Sequence, residues 1–180
     1  MANSAMKQRV VSPDMALIST LLLSEQCDSP NNVNWKVAAV APIVMDDLNN
    51  AIAVRGFNDS TEQGIGFTLM VPDYAGSIKF NFTSRAKVAP GTVKNVVPKL
   101  YFREIADAVA VGTWSTGLDL TALVMPTSTN FVVDTQTIAF ATLGNGKNRI
   151  VQFELTRKVA GVTDNLPSDW YLLSLEVMFI

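Results

Sequence analysis

The chain has no histidine among its 180 residues and one cysteine, Cys27. Without imidazole there is no Ser-His-Asp triad, no Cys-His pair, no histidine-built zinc site and no proton shuttle titrating near neutrality. A single thiol makes no intramolecular disulfide, redox pair or all-cysteine zinc cluster. Cys27 therefore reads as a small apolar residue, buried or facing a partner. Charge is scarce as well: 17% of residues are charged, below the usual quarter, against 48% apolar. Long hydrophobic runs are missing. The longest, Met15 to Leu23, is too short to span a membrane. It follows Lys7 and Arg9 as a signal peptide would, but Ser19 and Thr20 interrupt it. Ser24-Glu25-Gln26 offers no small-residue cleavage site, so no targeting segment is expected.

What is present describes a body more than a catalyst. A chain of this length makes one domain and buries roughly 70% of its unfolded surface, enough to fold without metal or disulfide. With so little charge it is expected to expose apolar surface that other subunits cover. Net charge is −2, but the charges are segregated. Asp14 to Ile78 holds eight acids against Lys36 and Arg55. Lys79, Arg85, Lys87, Lys94, Lys99 and Arg103 follow with no acid between them, and from Glu104 onward acids again prevail. These bases read either as solvated strand faces or as a patch that meets an acidic protein partner, with Lys79, Arg85, Lys87, Lys94 and Lys99 as interface candidates. Nucleic acid is not expected, since the pI is about 5.1 and no aromatic-rich basic groove is legible.

The texture changes near residue 50. Residues 1–50 lack regular alternation and carry turn-rich breaks at Asp28-Ser29-Pro30-Asn31-Asn32 and Asp46-Asp47-Leu48-Asn49-Asn50. Ser12-Pro13-Asp14 has the form of a helix start, with Met15 to Leu23 as its body; the same run also reads as an extended arm. Either way Met15, Leu17, Ile18, Leu21 and Leu22 lack local partners and are candidates for docking on another surface. From Ala51 the sequence turns to short strands. Ile78, Phe80 and Phe82 alternate with polar residues, as do Val151, Phe153 and Leu155. Leu100 to Arg103 and Thr137 to Phe140 read as further strands, and Gly144-Asn145-Gly146 as a hairpin turn before Val151. Tyr171, Leu173, Leu175, Val177 and Phe179 are expected on one face of a last strand. The fold class is all-β: an antiparallel β-sandwich of jelly-roll type over 51–180, with about eight strands, and an extended or partly helical N-terminal arm over 1–50.

Sites of chemistry are few. Asp46 with Asp47, or Asp164 with Asp169, are carboxylate pairs of the kind a glycosidase uses, but loop acids of this sort are commonplace. Asp164, Asn165 and Asp169 fit a turn in which short polar side chains bond their own backbone. Gly144 to Lys147 is not a phosphate loop, since neither a helix nor a hydroxyl residue follows. Calcium spacing is absent, and the sequons at Asn58 and Asn81 mean nothing without secretion. No cofactor, metal or catalytic residue is expected. Of Trp35, Trp114 and Trp170, the last suits a core or strand-end anchor. Trp114, between Gly112 and Gly117, is the one placed to stack on a sugar ring.

The ordered series Ala53 to Asp59, Glu62 to Phe67, Ile78 to Phe82, Lys99 to Ile105, Leu155 to Arg157, Asp164 to Leu166 and Ser168 to Leu173 resembles the small jelly-roll structural proteins of tailed bacteriophages. The resemblance runs from Asn50 to Ile180, and ending on an apolar strand suggests a C-terminus tucked into the fold. It implies a non-enzymatic virion protein, a homotrimer on the capsid surface, made in the host bacterial cytoplasm. Such a protein binds the major capsid protein as cement or decoration, with no nucleic acid or membrane partner. A receptor- or carbohydrate-binding module of the tail or baseplate is the alternative.

Overall fold

The computed structural model describes residues 9–11, 17–23, 36–37, 39–46, 49–73, 75–105, 112–143, 149–159 and 163–180. Thirteen strands and one helical turn are found among them: β1 Arg9–Val11, β2 Leu17–Leu23, β3 Ile43–Asp46, β4 Asn49–Phe57, β5 Gly64–Val71, β6 Ser77–Ala86, β7 Lys94–Val96, β8 Pro98–Ile105, β9 Leu118–Asp119, β10 Leu123–Met125, β11 Val132–Ala139, α1 Phe140–Leu143, β12 Arg149–Arg157 and β13 Trp170–Phe179. Eight of them make the jelly roll. One sheet runs β4-β13-β6-β11 and the other β5-β12-β8-β9, and every named pairing is antiparallel. The chain crosses between the sheets at β4–β5, β5–β6, β6–β8, β9–β11, β11–β12 and β12–β13. β1, β2 and β3 enlarge the first sheet, and β7 with β10 forms a separate ribbon.

The period of two seen in the sequence is what fills the sandwich. Ile78, Phe80 and Phe82 of β6 point inward, as do Val151, Phe153 and Leu155 of β12. Phe153 stacks on Phe67 at 5.5 Å within its own sheet and meets Phe80 edge-on at 6.4 Å from the other, so aromatic contacts cross the sandwich. Trp170 is fully buried against Phe57 and Phe82, the core anchor expected of it.

Several expectations are corrected here. β13 does not hold one phase: its register shifts between Leu172 and Ser174. Trp170, Leu172, Leu175, Val177 and Phe179 join the core, while Tyr171 and Leu173 do not. A bulge inserts one residue and so exchanges the faces of everything before it. The Gly144 to Lys147 turn lies outside the described residues, but β11 and β12 on either side of it belong to different sheets. They form a crossover, not a hairpin; a local turn signal does not report which sheet the next strand joins. Of the two readings of the N-terminal run, the extended one holds for Leu17–Leu23 and the helical one does not; Met15 and Ala16 lie outside the described residues. Leu17–Leu23 is a strand whose residues 18–23 pair with Phe179 to Ser174 of β13, because β13 offers a ladder edge beyond β4. The boundary expected at residue 50 falls inside the β3–β4 pair, Ile43↔Arg55 to Asp46↔Asn49.

Two buried ion pairs tie loops and outer chain to the strands. Arg157, on β12, donates to Asp164 from Nε at 3.1 Å and Nη2 at 2.7 Å, and to the carbonyls of Leu166 and Ser168. Asp164 Oδ2 also accepts from the Val97 amide at 3.0 Å. The acid expected to bond its own turn backbone instead holds the 164–168 loop against β7, β8 and β12. Arg85 Nε donates to Asp46 at 2.9 Å, linking β6 to the end of β3. Replacing Asp164 with alanine leaves a buried guanidinium unpaired, and should cost about 3–5 kcal/mol of stability in urea denaturation.

Candidate functional site

The outward face of the β5-β12-β8 sheet gathers the chain's unusual polar groups. Registers place four rows across it: Gly64–Thr156–Lys99, Gly66–Glu154–Tyr101, Thr68–Gln152–Arg103 and Met70–Ile150–Ile105. Alternation along each strand sends these residues outward because their neighbours, such as Phe67, Phe153 and Leu100, fill the core. The face thus grades from charged at one end to apolar at the other. At the apolar end Met70 is 71% and Ile150 44% exposed.

At the polar end the face is built over. Residues 36–37 and 39–41 lie over it, with Val40 bridging Gly64 in parallel, Gly64 N donating to Ala39 O and Ala41 N to Gly64 O. Glu154 lies beneath them, wholly buried. Its carboxylate accepts from the Lys36 amide at 2.7 Å and the Val37 amide at 3.0 Å. Beside it Glu62 Oε1 accepts from the Tyr101 hydroxyl at 3.1 Å and from Thr156 Oγ1 at 2.9 Å. The Lys99 ammonium sits 4.8 Å over the Tyr101 ring, and Lys36 5.8 Å from the same ring. Two glycines permit this crowding. A Cβ on Gly64 would stand 2.5 Å from Glu154 Oε1. Gly117, at φ +92°, would put one 2.4 Å from Lys99 Cε and 2.6 Å from Tyr101 Cε1.

The titration behaviour follows from this enclosure. Burial pushes Glu154 up from 4.5 to about 7; the two amides and Arg103 oppose the shift, and nearby Glu62 adds to it. Burial also raises the Tyr101 phenol, against its hydrogen bond with Lys99, and lowers Arg103, which Glu154 partly offsets. Lys99 is raised, first by its hydrogen bond with Tyr101. Two neighbouring carboxylates with different surroundings can suggest acid–base chemistry. Here both are occupied by chain donors, and Glu154 has no exposed surface. The arrangement holds a strap.

The positions singled out in the sequence separate widely. Trp114 is half-buried, and the Arg103 guanidinium lies 4.5 Å over its ring, with Arg103 Nε donating to Gln152 at 2.7 Å. One ring face of Trp114 is therefore taken by a side chain. The basic band does not form one patch. Lys79 lies on the opposite sheet, in β6, and Lys94 in the β7 ribbon. Lys87 pairs with Asp169 at 3.3 Å, and Lys99 belongs to the Tyr101 cluster. Arg85 as an interface residue is corrected outright: it is 1% exposed, paired with Asp46 and set 5.0 Å from the Tyr171 ring. A basic residue at an outward position becomes interior when other chain covers the sheet. Leu17, Ile18, Leu21 and Leu22 lie in β2; Met15, Trp35 and Cys27 fall outside the described residues. Nothing in the sequence marked Glu154 or Glu62 for this role; the outward position of an acid within the apolar alternation of β12 was the available sign.

Among the described residues no group of acids and thiols is arranged to hold a metal ion, and no helix is long and apolar enough to cross a membrane. A cavity of about 230 Å³ opens between Leu118 to Thr121 and Gln136 to Ala139, lined also by Thr142.

No family model matches the chain, and no curated protein does. Solved structures resemble it loosely in strand arrangement. The CBM36-1 domain of a multidomain xylanase from the hindgut metagenome of Trinervitermes trinervoides has 13% identity and a TM-score of 0.46 over 88% of this chain and 95% of that one. CBM35 from Cellvibrio japonicus Abf62 has 9% identity and a TM-score of 0.48 over 88% and 91%. The mosquito-larvicidal Cry4Aa toxin of Bacillus thuringiensis has 13% identity and a TM-score of 0.47 over 91% of this chain and 24% of that one.

The Glu154 carboxyl binds protons in the folded state between pH 4.5 and about 7, where the unfolded chain has released them. Stability from this group is full below pH 4.5, falls across that window by about 3 kcal/mol, and is flat above it. Glu154→Gln should remove that decline, read from denaturant midpoints at pH 5 and pH 8.

Proposed function

We propose that this chain is a non-enzymatic virion structural protein that cements or decorates a phage capsid by docking on its major capsid protein. The observation that carries the reading is the apolar row Met70–Ile150–Ile105, set in register across three strands of one sheet, with Met70 and Ile150 exposed and Ile105 half-buried. The strand backbone beneath these side chains is already ordered, so backbone entropy is not lost when a partner covers them. Apolar surface held out of the core on a rigid, charge-poor sheet is what an interface core requires. The polar rows beside it supply a rim.

The enclosed carboxylates agree with a role without chemistry. Their hydrogen bonds are spent on chain amides and hydroxyls, which stiffens the face on which the apolar row sits. A carbohydrate-binding module of the tail is the second reading, favoured by Trp114 standing beside the planar groups of Arg103 and Gln152.

Imaging particles of the encoding phage separates these. Density repeated across the outer capsid lattice supports cement; copies confined to the tail, with glycan binding abolished by Trp114→Ala, support the second reading. Absence from the particle overturns both. Met70→Glu with Ile150→Glu should lower binding to heads lacking the protein by about a hundredfold, with unchanged thermal melting.

A further inference from the structure

Strand β11 carries features that neither outer face explains. Among the described residues it pairs with β6 alone, through eight consecutive register partners from Val132↔Ser84 to Ala139↔Ser77 without a bulge. It has no proline and no lysine, the residues that usually blunt an exposed edge. Its outward row is uncharged: Val133, 70% exposed, then Thr135, Thr137 and Ala139. Its only charge, Asp134, stands on the inward row opposite Phe82.

Among the described residues Asp134 is incomplete: its Oδ2 is buried with no hydrogen-bond partner there, and burial holds the carboxyl above its ordinary range. An acceptor left this way costs stability unless a donor is supplied. Gln136, two residues along on the same row, has an amide without a partner among the described residues, and it borders the cavity beside β11.

We propose that β11 pairs antiparallel with β11 of a second copy about a two-fold axis through Thr135, joining the two sheets edge to edge. Opposed residues in an antiparallel pair share a face, so the axis must pass through a residue and not between two. An axis through Asp134 would oppose two carboxylates, and one through Gln136 would set Asp134 against Ile138. An axis through Thr135 sets Asp134 of each copy opposite Gln136 of the other, giving the carboxylate its donor. The same register opposes Val132 to Ile138 on the inward row and Val133 to Thr137 on the outward row. Such a contact is two-fold and closes at two copies, whereas the phage resemblance implies three. It does not depend on whether the protein binds a capsid.

Light scattering on the full chain at micromolar concentration should give twice the chain mass. Gln136→Glu opposes carboxylates and should return the chain mass, and adding Asp134→Asn to it should restore the pair. Thr135 is exposed, so Thr135→Cys in a Cys27→Ser background keeps the fold and is readable even where the Gln136 variant does not fold. Mild oxidation should link two copies through Thr135→Cys and not through Thr137→Cys. A single-chain mass, a three-copy mass, or no link through Thr135→Cys would overturn the pairing.

Discussion

The structure depends on how the chain between residues 36 and 46 is held. That segment crosses the outward face of one sheet and ends as a strand of the other, and a buried carboxylate clamps each end. Glu154 takes the amides of Lys36 and Val37, and Asp46 takes the guanidinium of Arg85. Between them Ala41 is fully buried and its carbonyl accepts from Arg55. Charges this enclosed are tolerable only when their hydrogen bonds are met, so the segment and the carboxylates require each other.

This arrangement explains why the two outward faces differ. Where chain covers the sheet, outward residues are charged and satisfied by that chain: Glu154 by the amides of Lys36 and Val37, Arg85 by the Asp46 carboxylate at the end of β3. Where nothing described covers it, the row is apolar and exposed, as at Met70 and Ile150. A jelly roll buries its inward residues in any case. Its individuality lies in what is laid over the outside, and here one end of a face is covered and polar while nothing described covers its apolar other end.

The inward half of the design was legible from residue types. Period-two runs at Ile78 to Phe82 and Val151 to Leu155 need only local alternation to be seen, and Trp170 as a core anchor follows from its place at a strand start. The outward half was not. Lys79 and Arg85 stand in equivalent outward positions on β6, yet Lys79 carries no ion pair among the described residues while Arg85 is interior. The difference comes from Asp46, far away in the chain. Tyr171 and Leu173 left the expected face because a bulge changes phase without any residue type that announces it.

By itself the sequence determined the class: an all-β sandwich with a filled interior and no histidine chemistry, since alternation and composition are properties of neighbouring residues. Only the tertiary structure decided that residues 36–46 belong to the sandwich, that Gly144 to Lys147 joins two sheets, and that Glu154 is buried. Each of those is a pairing between distant segments. It is set by which ladder edge lies open when the sheets close, and no local pattern carries that information.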